Sequence, residues 1–74
     1  MNTPNTAAAV AYRLIRIREV MNKTGLSKSG VYDLMNAGQF PKSIRLSDTG
    51  RTVAFIEAEV DSWIAARIAA RKAA

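Results

Sequence analysis

The chain has 74 residues, carries 11 lysines and arginines against 6 acidic residues for a net charge of +5, and contains neither cysteine nor histidine. This length can bury only one small core, held by packing alone, without a disulfide or the usual metal ligands. Most acid–base and nucleophilic chemistry is missing with histidine and cysteine, no Gly-rich phosphate loop is present, and no run reaches the ~18 apolar residues of a membrane span, so a non-enzymatic, cofactor-free protein of the cytoplasm is expected.

Residues 1–12, MNTPNTAAAVAY, have no charge and read as a flexible leader ahead of a single domain over 13–74. Ala7 to Tyr12 is apolar but short, and no basic residue precedes it, which argues against a secretory signal. It also lacks the arginine or lysine that minor-groove arms carry. Arg13 to Arg16 is expected to form a short strand whose partner is a later hairpin.

Ile17, Val20, Met21 and Thr24 fall at i, i+3, i+4 and i+7, the spacing of one helix face. Gly25 then predicts a left-handed stop. Ser27 is a suitable N-cap for a second helix, with Leu26 and Val31 placed for a hydrophobic staple. That helix turns Val31, Leu34 and Met35 inward and ends by Gly38. Neither helix is long enough to stand alone, so the two must share an apolar corner. A corner of this kind commonly holds a helix out toward a DNA groove, although many small helical domains contain one that binds nothing.

Pro41 forbids helix continuation and sets Phe40 in an extended conformation, turned back under the helix pair. Ser43 to Ser47 alternates polar and apolar, Asp48-Thr49-Gly50 supplies turn residues, and Val53 and Phe55 resume the alternation. This predicts a β-hairpin with Ile44, Leu46, Val53 and Phe55 on the inward face and Arg45, Arg51 and Thr52 outside or at the tip. After a helix-turn-helix, such a hairpin is a wing.

The longest helix is expected from Glu57 to about Arg71. Acidic residues occupy its first turns and Arg67, Arg71 and Lys72 its last, which complements the helix dipole at both ends. Val60, Trp63, Ile64 and Ile68 make its apolar stripe, and Trp63, the largest apolar group, is expected at the centre of the core. On that reading Trp63→Ala would remove most of the stability of so small a domain.

The charge is unevenly placed. Arg13 to Arg45 contains seven basic residues against Glu19 and Asp33, whereas the four basic and four acidic residues after Leu46 cancel. The whole excess lies on and beside the helix pair, which suits a polyanion, most simply nucleic acid. A solvated basic face that binds nothing would look the same from composition.

The segments RLIRIREVMNKTGLSKSGVYDLMNAGQFPKSIRL and GRTVAFIEAEVDSWIAARIAAR resemble the AlpA family of phage and prophage regulators over roughly Arg13 to Arg71. The similarity rests on the TGLSKS turn, Tyr32, Leu34-Met35, Phe40-Pro41, and the run Arg51, Val53, Phe55, Glu59-Val60 and Trp63-Ile64, in order and in spacing. It implies an α+β, mostly helical fold: a MerR-like winged helix-turn-helix with a two-stranded wing and a C-terminal helix. It further implies a sequence-specific regulator of phage, prophage or mobile-element genes that binds double-stranded DNA, with an integrase or RNA polymerase as possible further partners. Two other readings stand beside it, an excisionase-like architectural protein acting with an integrase, and a protein-interaction module using the Val60–Ile68 helix.

On this reading the DNA-binding residues are Ser27, Lys28, Ser29, Gly30, Tyr32, Asp33 and Asn36 on the recognition helix, Lys42 and Arg45 beside it, and Arg51 at the wing tip. Ser27 is also read as a plain cap, Tyr32 as packing on the wing, and Arg51 as an ion-pair brace to Asp48 or Glu57. Family members often carry threonine at the position of Gly30, a basic or bulky residue at Asp33, and tryptophan at Phe55, so the operator is expected to differ from that of relatives. The C-terminal helix is too short for the coiled coil that pairs longer MerR proteins, so a monomer or weak dimer, cooperative on repeated sites, is expected.

Overall fold

The structure, a computed structural model, describes residues 12–71. The leader expected over residues 1–12 therefore lies outside the described residues except for Tyr12, as does the chain beyond Arg71. The order of elements is β1 (Leu14–Ile15), α1 (Ile17–Thr24), α2 (Lys28–Asn36), β2 (Ile44–Arg45), β3 (Val53–Ile56) and α3 (Glu57–Ala70). The architecture is α+β: three helices against a three-stranded antiparallel sheet of order β1-β3-β2.

The two short helices end as their glycines dictate. Gly25 adopts φ +76° and donates its N–H to the Met21 carbonyl at 2.7 Å. Thr24 tightens the same corner, donating its hydroxyl to the Val20 carbonyl and accepting from the Leu26 N–H. At the end of α2, Gly38 has φ +74°, and the N–H groups of Gly38 and Gln39 bond the carbonyls of Met35 and Leu34. This paired closure satisfies carbonyls that a helix end otherwise leaves free.

The short strand expected near Arg13–Arg16 is present and pairs with β3, Leu14 opposite Ile56 and Ile15 opposite Phe55. β3 is the middle strand and runs without a break into α3. Ile15, Val20, Val31, Phe40, Phe55 and Val60 form the buried core, with Ile17, Leu26, Leu34, Met35, Trp63 and Ile64 packed around them. Each element except β2 contributes to that set. Phe40 returns under the helix pair as expected and meets Phe55 and Trp63 edge to face, at centroid separations of 6.1 and 4.8 Å.

Three expectations about burial are corrected. Ile44 and Leu46 do not share a face with Val53 and Phe55. Ile44 pairs with Ala54 and Arg45 with Val53, and directly paired residues point to the same side of a sheet. Ile44 and Leu46 therefore fall on the outer face and are 37% and 46% exposed, while Ala54, a methyl on the middle strand, is covered. Trp63 lies at the rim of the core, half-buried, whereas the largest fully buried side chains among the described residues are Phe55, Ile15, Val20, Val31 and Val60. Finally, Ile68 is 57% exposed, because α3 runs past the end of the core after Ile64.

Trp63 is fixed by two different contacts: its indole N–H donates to the Gln39 carbonyl at 2.8 Å, and its ring packs on Phe40. Trp63→Phe keeps the ring contact and loses the hydrogen bond, and should cost about 1 kcal/mol. Trp63→Ala loses both and should cost about 3 kcal/mol, the low end for a large aromatic because the site is only half-buried. Thermal unfolding of the two variants separates the contributions; equal losses would mean that the hydrogen bond, not the ring, holds the 39–40 connection to α3.

Candidate nucleic-acid interface

α2 is anchored on one side and open on the other. Val31 is buried and Leu34 and Met35 are half-buried in the core. At 100° per residue the opposite side of the helix carries Ser29, Asp33 and Asn36, at i, i+4 and i+7. All three are exposed, and on one flank of that line stand Tyr32, half-buried, and Lys28, exposed in the first turn. The structure thus presents Ser29, Asp33 and Asn36 outward, with Lys28 and Tyr32 on their flank, on a helix whose other side is packed on the core.

The start of α2 is set by Ser27, whose hydroxyl accepts from the Gly30 N–H at 3.0 Å. The Ser27 and Ser29 hydroxyls also lie 3.3 Å apart. Ser27 therefore acts as the cap. Gly30 is the residue whose N–H is capped, and a Cβ there would come within 3.2 Å of the Ser27 Oγ. A side chain at position 30 presses on the cap, which offsets the ~1 kcal/mol of helix propensity that glycine forgoes.

Lys42 is exposed in the connection before β2. Arg45 turns back over the wing loop: its guanidinium donates to the carbonyls of Asp48 and Gly50, both at 3.3 Å. Arg51 is exposed, and among the described residues it has no carboxylate within 4 Å. The brace from Arg51 to Asp48 or Glu57 is not formed. Glu57 is engaged elsewhere, and the bracing of the loop comes from Arg45.

The sequence reading missed a charge network among the start of β1, α1 and α3. Arg13 pairs with Glu19 at 2.9 Å and Glu57 at 2.7 Å, and Lys23 pairs with Asp61 at 2.7 Å and Glu57 at 3.3 Å. β1, α1 and the first turns of α3 are tied together by it. The Glu19 carboxylate, with Glu57, raises the Arg13 pKa above its ordinary value. The hydrogen bond to Asp61 does the same for Lys23. Because the folded chain then holds the Lys23 proton more tightly than the unfolded chain does, the lysine's contribution is complete below its ordinary value of 10.5 and is lost as pH rises through the raised value. Two of the seven basic residues in the Arg13–Arg45 stretch are thus neutralised locally. Arg16 and Arg18, absent from the residues singled out in sequence, are exposed and make no such pair among the described residues. The signal for them was the charge count of the segment.

The profile of the family described as "Prophage CP4-57 regulatory protein (AlpA)" matches residues 13–68, which spans every element from β1 to nearly the end of α3. The chain belongs to this family. It is 35% identical over 63 residues to the "DNA-binding transcriptional activator AlpA" of Escherichia coli strain K12, covering 77% of this chain and 87% of that protein. It is 45% identical over 60 residues to "Uncharacterized protein ORF88" of Enterobacteria phage P4, covering 81% of this chain. The chain spans 66% of the length of that phage protein, just under two thirds. No solved structure matches.

Ser27 gives this surface its local test. Ser27→Ala should lower stability by about 1 kcal/mol through loss of the cap, whereas Ser27→Asp should retain it. Urea unfolding of the pair measures the difference, and an unchanged midpoint for Ser27→Ala would show that the Gly30 N–H is satisfied by water instead.

Proposed function

We propose that this AlpA-family chain is a sequence-specific, double-stranded-DNA-binding transcription regulator of a phage, prophage or mobile element. In this reading the fold works as a MerR-like winged helix-turn-helix: α2 enters the major groove, and the β2–β3 hairpin is the wing on the flanking backbone. The observation that carries it is the exposed line of Ser29, Asp33 and Asn36 on a helix whose other side is locked into the core. A K12 relative named as a DNA-binding transcriptional activator supports the same assignment.

Lys28 and Ser29 stand at the end of α2 that leads into the groove, with the Gly30 backbone close behind. Asn36 can bond an adenine edge, and Asp33 can accept from a cytosine amino group while repelling phosphate. Tyr32 reaches backbone from the shoulder. Lys42 and Arg51 neutralise phosphates on either side. RNA polymerase or an integrase would be the protein partner, and the chain would work in the bacterial cytoplasm as a monomer or weak dimer. Exposure of Ile68 at the far end of α3 supports a second reading, a protein contact through that helix.

Selection of bound duplexes from a random pool should return a defined site, with affinity that falls as salt rises. Lys28→Ala and Ser29→Ala should weaken that site more than random DNA. Arg51→Ala should weaken both by similar factors and lower the salt slope by about one. Lys23→Ala, in the charge network, should leave the slope unchanged. No salt-dependent binding to any duplex would remove the DNA reading and leave the α3 contact.

A further inference from the structure

We propose that Arg45 is a positioning residue, which holds the wing loop in one conformation so that Arg51 is presented to phosphate, and that it does not itself bind the backbone. The proposal rests on the DNA-binding reading above and assigns the two wing arginines different work.

The loop over residues 46–52 is long for a strand pair whose first member, β2, has two residues. One ladder bond closes its base, from the Leu46 N–H to the Thr52 carbonyl at 2.9 Å. Inside the loop the Ser47 hydroxyl accepts from the N–H groups of Thr49 and Gly50 at 3.3 and 3.2 Å. These bonds gather the N–H groups and leave the carbonyls of Asp48 and Gly50 to be satisfied. Both converge on one nitrogen of Arg45. A planar guanidinium offers two hydrogens from that nitrogen in a fixed geometry, whereas a lysine ammonium on a flexible stem does not reproduce the fork.

The consequence is a division of labour. The Ser47 bonds hold the N–H side of the loop, and the carbonyl side, without Arg45, would have to be ordered when DNA arrives, at a cost in affinity. Arg45 supplies that order beforehand. Arg51, one residue beyond the second clamped carbonyl, is left exposed with no carboxylate within 4 Å among the described residues.

Charge-preserving variants separate clamp from contact. In the free protein, Arg45→Lys and Arg45→Ala should both lower the backbone order parameters of Thr49 and Gly50 from near the rigid ~0.85 toward ~0.6, and Arg51→Ala should not. On random duplex DNA, Arg45→Lys should lose nearly as much affinity as Arg45→Ala, about three- to tenfold, whereas Arg51→Lys should keep most of its affinity. Arg45→Ala combined with Arg51→Ala should cost little more than Arg51→Ala alone, because the clamp acts through Arg51. Native affinity for Arg45→Lys with undisturbed loop order would overturn the proposal and make Arg45 a direct phosphate contact. If the parent protein binds no duplex, the functional reading falls and presentation to phosphate falls with it. The order parameters, measured without DNA, still decide whether Arg45 holds the loop.

Discussion

The pairing of Ile15 with Phe55 across β1 and β3 is the contact on which the other elements depend. Both side chains are fully buried, and their strands have opposite onward connections. β1 leads within two residues into α1, and β3 leads directly into α3. Fixing this one pair therefore fixes where both helices begin. Val20 from α1 and Val60 from α3 then close on the same cluster, and Val31 joins it from α2. In a core of so few side chains, each lost contact removes a large share of what offsets chain entropy.

The same geometry divides the molecule electrostatically. Where β1, α1 and α3 meet, Arg13 and Lys23 spend their charge on Glu19, Glu57 and Asp61. Among the described residues, the cations of α2 and the wing form no ion pair. A net charge of +5 hides this difference, because Arg13 and Lys23 are paired whereas Lys28, Lys42 and Arg51 are exposed and in no ion pair among the described residues. Long-range attraction for a polyanion depends on the unpaired charges and their placement more than on the sum.

Rigidity serves the surface that the family relationship makes interesting. α2 is short and would not hold its shape in isolation. Ser27 at its start, Gly38 at its end and three apolar side chains beneath it keep Ser29, Asp33 and Asn36 in a fixed line. Trp63 contributes from a distance, since its hydrogen bond to Gln39 secures the chain just past the end of α2. Any binding through a few side chains gains from such support, because each contact ordered only on binding costs conformational entropy.

Much of this was set by the sequence alone, wherever the controlling force is local. Gly25, Ser27 and Gly38 mark helix ends by backbone sterics and by one hydrogen bond within a turn, and the spacing of Ile17, Val20, Met21 and Thr24 defines a helix face without reference to anything else. The family resemblance was legible for the same reason, since it follows residue types in order. What required the tertiary structure depended on elements distant in the chain. The face of Ile44 and Leu46 is decided by pairing Ile44 with Ala54 across a loop, and a shift of one residue reverses every side chain. Trp63 is a rim residue because Phe55, smaller but on the middle strand, holds the centre. The partners of Lys23, on a helix far along the chain, are a matter of which groups the fold brings within about three ångströms, and neither charge nor periodicity encodes that distance.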